Sequence, residues 1–135
     1  MTTRYLPFIG RVLIGVPFMM SGLSKLAAYG STIALISSAG LPFPPLAYAV
    51  AVAVELGGGL LLVVGYQVRL VASVMAVFVQ ATAFSFHSNF ADQNQMIHFL
   101  KNVMITGGLL QIAAFGAGAL SIEQWRRSPA KAVTA

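Results

Sequence analysis

Arg11, Glu55, His98 and Lys101 stand inside long apolar stretches of this sequence, and Lys25 and His87 stand at the ends of two of them. Side chains of these types move protons, donate hydrogen bonds and hold anions. His98 and Lys101 are one helical turn apart and so share a face. Other chemistries lack the residues they need. Two histidines and three carboxylates, spread along the chain and with no cysteine beside them, do not assemble a metal site. The same counts exclude disulfides, thiol exchange and cysteine-ligated clusters. Haem ligation by His87 and His98 is weakly supported, since both sit near the outer end of their spans. No carboxylate pair shares a helix face, and no phosphate-loop pattern occurs.

The elements that hold these residues follow from composition. Hydrophobic residues make up 58% of the 135-residue chain and charged residues only 8%, where a soluble domain carries about 25% charge. Such a surface cannot be wetted, which excludes a soluble enzyme, a disordered tail and a nucleic-acid binder. Net charge is +5, but the basic residues are scattered singly apart from Arg126-Arg127 and form no patch for nucleic acid. Four stretches approach the roughly 20 residues that cross a hydrocarbon core. They run over Leu6–Leu23, Leu46–Val64, Leu70–Phe86 and Ile97–Phe115. The expectation is an all-α polytopic membrane protein, a bundle of four transmembrane helices forming one domain over residues 1–135.

The connections suit a compact bundle. Gly65-Tyr66-Gln67-Val68-Arg69 is a tight turn that makes the second and third spans antiparallel neighbours, and His87–Met96 is a short polar loop. Between the first two spans, Thr32, Leu35, Ile36 and Ala39 share helical spacing, so a short interfacial helix is expected there, stopped by Gly40 and the prolines that follow. Arg4, Arg11, Arg69, Arg126, Arg127 and Lys131 fall on the side of the termini, against Lys25 and Lys101 on the other. This imbalance favours both termini in the cytoplasm. Trp125, Arg126 and Arg127 read as an anchor at that interface. The first span carries an internal Arg11 and lacks a small-residue cleavage site, so it reads as a span rather than a signal peptide.

A charge at mid-bilayer costs about 2.5–3.5 kcal/mol, so such groups face the bundle interior and find partners. Glu55 lies deepest, and Arg11 and Lys101 each lie about one turn inside their spans from opposite sides, so either or both can pair with it. Arg11, Gly15, Phe18, Gly22 and Lys25 share one face of the first helix. Asn94, His98, Lys101, Gly108 and Gln111 form a stripe on the fourth, and Gln80, Phe84 and His87 one on the third. Gly57–Gly59 and Gly107-Gly108 permit close helix approach, room for a planar ligand, or a homodimer interface. Each buried pair is equally able to fix helix register and do nothing more, Lys25 can snorkel to the interface, and His87 can be an interfacial side chain.

Taken in order, Arg11 with FMMSGLSKL (Phe18–Leu26), AGLPFP (Ala39–Pro44), VELGGGLLLVVGYQVR (Val54–Arg69), His87, NQMIHFLKNVMITGGLLQI (Asn94–Ile112) and GAGALSIEQW (Gly116–Trp125) resemble the DoxX family of small bacterial inner-membrane proteins. The resemblance covers about residues 8–122. It implies a four-helix membrane bundle in the bacterial inner membrane and a redox context: thiosulfate oxidation with quinone as acceptor, oxidative-stress complexes containing a sulfurtransferase, or resistance to quinones. Arg11, Lys25, Glu55, His87 and Lys101 sit where the family pattern has polar residues.

The function this suggests is a quinone-interacting component of an oxidoreductase system. A quinone dissolves in the bilayer and takes up two protons on reduction, so its site benefits from donors at its carbonyls. Lys101 and His98 are the expected donors, Glu55 the proton carrier or orienting anion, and Phe18, Phe84 and Phe99 the apolar walls. With thiosulfate as electron source, Lys25, His87 and Lys101 offer the cationic surface on the outer side, and Arg11 completes the expected binding residues. No metal is expected, and quinone is the one cofactor suggested. Two other readings fit the same residues: a non-enzymatic membrane partner for a soluble oxidoreductase or sulfurtransferase, and small-molecule transport or efflux through a homodimer.

Overall fold

In a bilayer, backbone polar groups find no water, so a long apolar run satisfies them by folding as a helix. A computed structural model describes residues 2–126, and these are helix, turn and loop throughout. The elements are α1 (Thr2–Ala27), α2 (Tyr29–Ser38), α3 (Pro44–Val52), a π-helical turn (Ala53–Gly58), α4 (Gly59–Val64), α5 (Val68–Phe86) and α6 (Gln93–Phe115). α3, the π turn and α4 run on without a break as the second span. Arg4–Ala27, Pro44–Val64, Val68–Phe86 and Gln93–Phe115 are long and apolar enough to cross a membrane. The protein is an all-α, polytopic membrane protein.

Each helix is longer than hydropathy alone marks out, because polar residues extend the ends. α1 continues through Pro7 and Pro17, as helices in membranes tolerate. α6 begins four residues before Ile97, where the Asp92 carboxylate accepts the Asn94 N–H at 2.9 Å and caps the helix. α2 ends at Gly40, whose φ of +79° suits glycine. On α2, Ile36 is buried and Thr32 and Ala39 are half-buried, but Leu35 points outward, 59% exposed. The helix packs on α3, with Tyr29 and Tyr48 edge to face at 4.8 Å. Between the second span and α5, Gly65 and Gln67 both take left-handed conformations and make the expected tight turn.

Two antiparallel hairpins result, α1 with the second span and α5 with α6. In the first, backbones touch. A β-carbon on Gly59 would lie 2.6 Å from the Gly15 carbonyl oxygen, and one on Gly15 would lie 2.7 Å from the Gly59 oxygen. This is the close approach that small residues permit in membranes. Gly58 then seats the second span against Met75 of α5, whose sulfur would be 2.9 Å from an added β-carbon. Gly58 and Gly59 are therefore occupied by the chain's own helices, not by a second copy or a planar ligand. Gly57 faces open space. The core runs through Leu62, Val68, Ala72, Met75, Val79 and Leu109, with Phe18 packed against it.

Because Gly59 has no room, Gly59→Ala should destabilise the protein by about 1–3 kcal/mol through overpacking. Gly57→Ala should leave stability unchanged. Thermal unfolding of both variants in detergent, followed by circular dichroism, checks the contrast.

Candidate functional site

Glu55 belongs to the π-helical turn and is 7% exposed. Such turns widen the helix and recur at functional sites. The carboxylate faces α1. Ser21 donates its hydroxyl hydrogen to Oε1 at 2.8 Å, and the Lys25 ammonium lies 3.0 Å from Oε1 and 2.8 Å from Oε2. Lys25 also donates to Ser21 Oγ at 3.1 Å. A helical side chain leans toward the N-terminus of its own helix, so Lys25, near the end of α1, reaches inward over Ser21 to the depth of Glu55. Tyr48 fixes the same turn by donating its hydroxyl to the Lys25 carbonyl at 3.1 Å. Oε2 is buried and accepts no well-aligned hydrogen bond from a described residue, so the ammonium beside it is what compensates its charge.

The partner of Glu55 is thus Lys25, and neither Arg11 nor Lys101. Arg11 is only 1% exposed and turns the other way along α1. It donates to the carbonyls of Leu62 at 2.8 Å and Val63 at 3.1 Å, and to that of Leu120. The first two belong to the last turn of α4, where helical carbonyls lack partners and the helix dipole is negative. Phe8 stacks on the guanidinium, 5.6 Å from its centroid. With its terminal nitrogens occupied by backbone, Arg11 is tied to the fold.

The α5–α6 seam holds the second polar group of residues. Gln80, Phe84 and His87 all meet α6: Thr106 donates to Gln80 at 3.2 Å, Phe84 meets Phe99 edge-on at 5.3 Å, and the His87 and His98 rings lie 5.0 Å apart at 29°. Phe90 adds a further edge contact to Phe99 at 5.0 Å. Apart from His98, the expected α6 stripe does not line this seam. Asn94, His98, Lys101 and Gln111 are exposed, while Asn102, Thr106 and Leu109 turn toward α5. Lys101 makes no hydrogen bond or ion pair with a described residue.

The expected site residues therefore fall into separate places. Lys25 and Glu55 meet between α1 and the second span. His87, His98, Phe84 and Phe99 meet between α5 and α6, toward the same end of the bundle. Phe18 lies against the core, Arg11 at the opposite end, and Lys101 on the outer face of α6. Ser21 and Tyr48 were missed, although Ser21 stands one turn before Lys25 on the same face. Glu123 was missed too; its Oε1 accepts the Val68 N–H at 3.1 Å and caps α5. Trp125 is 70% exposed and Arg126 lies over Tyr66; Arg127 and Lys131 lie outside the described residues. Among the described residues no three of His, Cys, Asp and Glu come close enough to hold a metal.

With this geometry in place, comparison with known proteins is decisive about kinship. The DoxX family model matches residues 6–88. The chain belongs to the DoxX family. It is 36% identical over 118 residues to "Inner membrane protein YqjF" of Escherichia coli K12, covering 86% of this chain and 88% of that one. It is 31% identical over 137 residues to "Inner membrane protein YphA" of the same organism, covering 91% and 98%. No solved structure matches. The family match spans Arg11, Ser21, Lys25, Glu55 and His87, while His98 and Lys101 lie beyond it.

His87, just past the end of α5, titrates below the usual histidine range, first because burial disfavours its charged form and then because His98 stands beside it. The folded state therefore resists protonation more than the unfolded one does. The stability associated with neutral His87 is complete above about pH 6.5 and is lost as pH falls toward the lower folded-state value. Melting temperature should thus decline from pH 7.5 to pH 5, and less steeply in His87→Phe, when both are followed in the same detergent.

Proposed function

We propose that this DoxX-family protein is a redox-associated component of the bacterial inner membrane that takes a quinone-type head group beside the Lys25–Glu55 pair. The observation that carries the reading is a carboxylate inside the membrane, held by an ammonium and a hydroxyl at a π-helical turn. Ionisable groups at such depth are expensive and mark functional sites. The donor set fits the ligand. The Lys25 ammonium can donate to a quinone carbonyl, and Glu55 can exchange the protons that reduction to quinol requires. This gives Lys25 the role first expected of Lys101. The His87–His98 pair, with Phe84 and Phe99 against it, supplies further donors and aromatic surface toward the same end. Electrons come from a soluble oxidoreductase or sulfur-handling partner docking on the membrane.

The inner-membrane location rests on the two relatives, both inner membrane proteins of Escherichia coli. Both termini are proposed to face the cytoplasm, since Arg4, Arg69 and Arg126 gather at that end while Lys25 lies toward the other. A reporter fused after residue 135 should be active only in its cytoplasmic form.

A second reading has an observation in its favour. The Lys25–Glu55 pair joins α1 to the second span and so can act in packing alone, the protein then serving as a membrane partner without chemistry. One experiment separates the two. The parent, Glu55→Gln, Lys25→Met and the double variant Lys25→Met/Glu55→Leu are purified in mild detergent, and co-purifying quinone is measured by mass spectrometry beside thermal stability. Lys25→Met leaves the buried Glu55 carboxylate unpaired and should lose about 3–5 kcal/mol, Glu55→Gln leaves the partly exposed Lys25 unpaired and should lose less, and the apolar pair regains most of the loss. Near-stoichiometric quinone in the parent and none in the stable double variant is the expected result. Absence of quinone from the parent, with none bound on addition, would leave packing as the role of the pair.

A further inference from the structure

At the end of the bundle that carries the termini, an open groove of about 630 Å³ runs between the start of α1, the end of α4 and the segment 119–125. Its walls include Phe8, Val64, Leu120 and Ile122, and its rim holds Arg4 and Trp125. Arg126 follows Trp125 and lies over the Tyr66 ring, 5.6 Å from its centroid. The groove is thus mostly apolar with Arg4 as its lining cation, and Arg126 stands beside it as the neighbour of the lining Trp125. Glu123, the carboxylate of the neighbouring segment, is engaged with the Val68 N–H.

We propose that this groove is a binding site for an anionic phospholipid, its phosphate at Arg4 and Arg126 and an acyl chain along Phe8, Leu120 and Ile122. Charge chooses among the occupants. The chain beyond residue 126 carries Arg127 and Lys131 and no acid, so it would add positive charge to a positive rim. A second copy docked face to face would set Arg4 and Arg126 against their own equivalents. An anion with an apolar tail matches both halves of the groove, and basic pockets at helix ends recognise such head groups. Trp125 at the rim has the amphipathic ring that favours the head-group level. The inference stands apart from the quinone reading, since the groove lies at the opposite end of the bundle from Glu55.

Trp125 is the chain's one tryptophan, so its fluorescence reports on the groove directly. The full-length protein is reconstituted with mixtures of a brominated phosphatidylglycerol and an unlabelled phosphatidylcholine, and in a second series the label is exchanged between the two lipids. Quenching of Trp125 should show the anionic lipid favoured by at least tenfold at equal mole fraction, each arginine supplying about fivefold. Arg4→Gln/Arg126→Gln should quench equally with either lipid, at unchanged helix content by circular dichroism. Lys101→Gln, on the outer face of α6, should keep the preference and serves as the reference if the double variant folds poorly. Equal quenching by the two lipids in the parent, or a preference that survives loss of both arginines, would overturn the proposal. So would full reversal by millimolar inorganic phosphate, which would show a phosphate site with no use for the apolar groove.

Discussion

A bilayer offers no water to a guanidinium or a carboxylate, and the contact between α1 and the second span is built around that fact. Gly15 and Gly59 bring the two backbones together, and each end of the contact is then closed by a charged side chain of α1. Arg11 fills the carbonyls at the end of α4. Lys25 reaches back to Glu55 at the π-helical turn. The pairing order is forced by direction: with both side chains leaning toward the N-terminus of α1, Arg11 points away from Glu55 and Lys25 points at it.

The rest of the bundle registers on this hairpin. Gly58 sits against Met75, and the second span and α5 run antiparallel from the turn at Gly65. Glu55, about one turn from Gly58 toward the loop end, then lies near the depth of Val79 and Gln80. There Asn102 donates to the Val79 carbonyl and Thr106 to Gln80. The contacts of Glu55 and the polar contacts of the second hairpin thus share one layer of the membrane. Nearer the termini Leu62, Met75 and Leu109 are fully buried, together with Arg11 on the Leu62 carbonyl.

The fold was legible in the sequence because a span is a property of composition: four apolar runs, two short connections and one longer one that forms a helix of its own leave few arrangements. Helix ends were less legible, since Asn94 and Gln95 look like loop residues until Asp92 is seen to cap them. The face of α1 was legible from spacing, because Arg11, Gly15, Gly22 and Lys25 repeat with the helical period. The face of α6 was not. A lipid-facing helix end tolerates Lys101 by snorkelling, so polar spacing there marked the outside as readily as the seam where His98 meets His87. The pairing of Glu55 was also hidden, because depth along a span says how far a residue is from water but not which way a long side chain leans.

This distribution of charge narrows what the protein can do. Both terminal nitrogens of Arg11 donate to backbone carbonyls, so its first role is to hold the fold together. Lys25 and Glu55 satisfy one another with a single hydroxyl beside them, and Lys25 keeps 29% of its side chain exposed. A ligand reaching this pair meets a donor at the edge and a proton acceptor behind it, in an arrangement already paired in the ground state. Binding a carbonyl compound therefore requires the ammonium to share or release a carboxylate oxygen. Any proton delivered to the ligand leaves Glu55 or Lys25 uncompensated until it is replaced. Under the proposed quinone reading, exchange of that proton from the loop end, where His87 and His98 stack, is the step that would tie the two polar groups of residues to a single function.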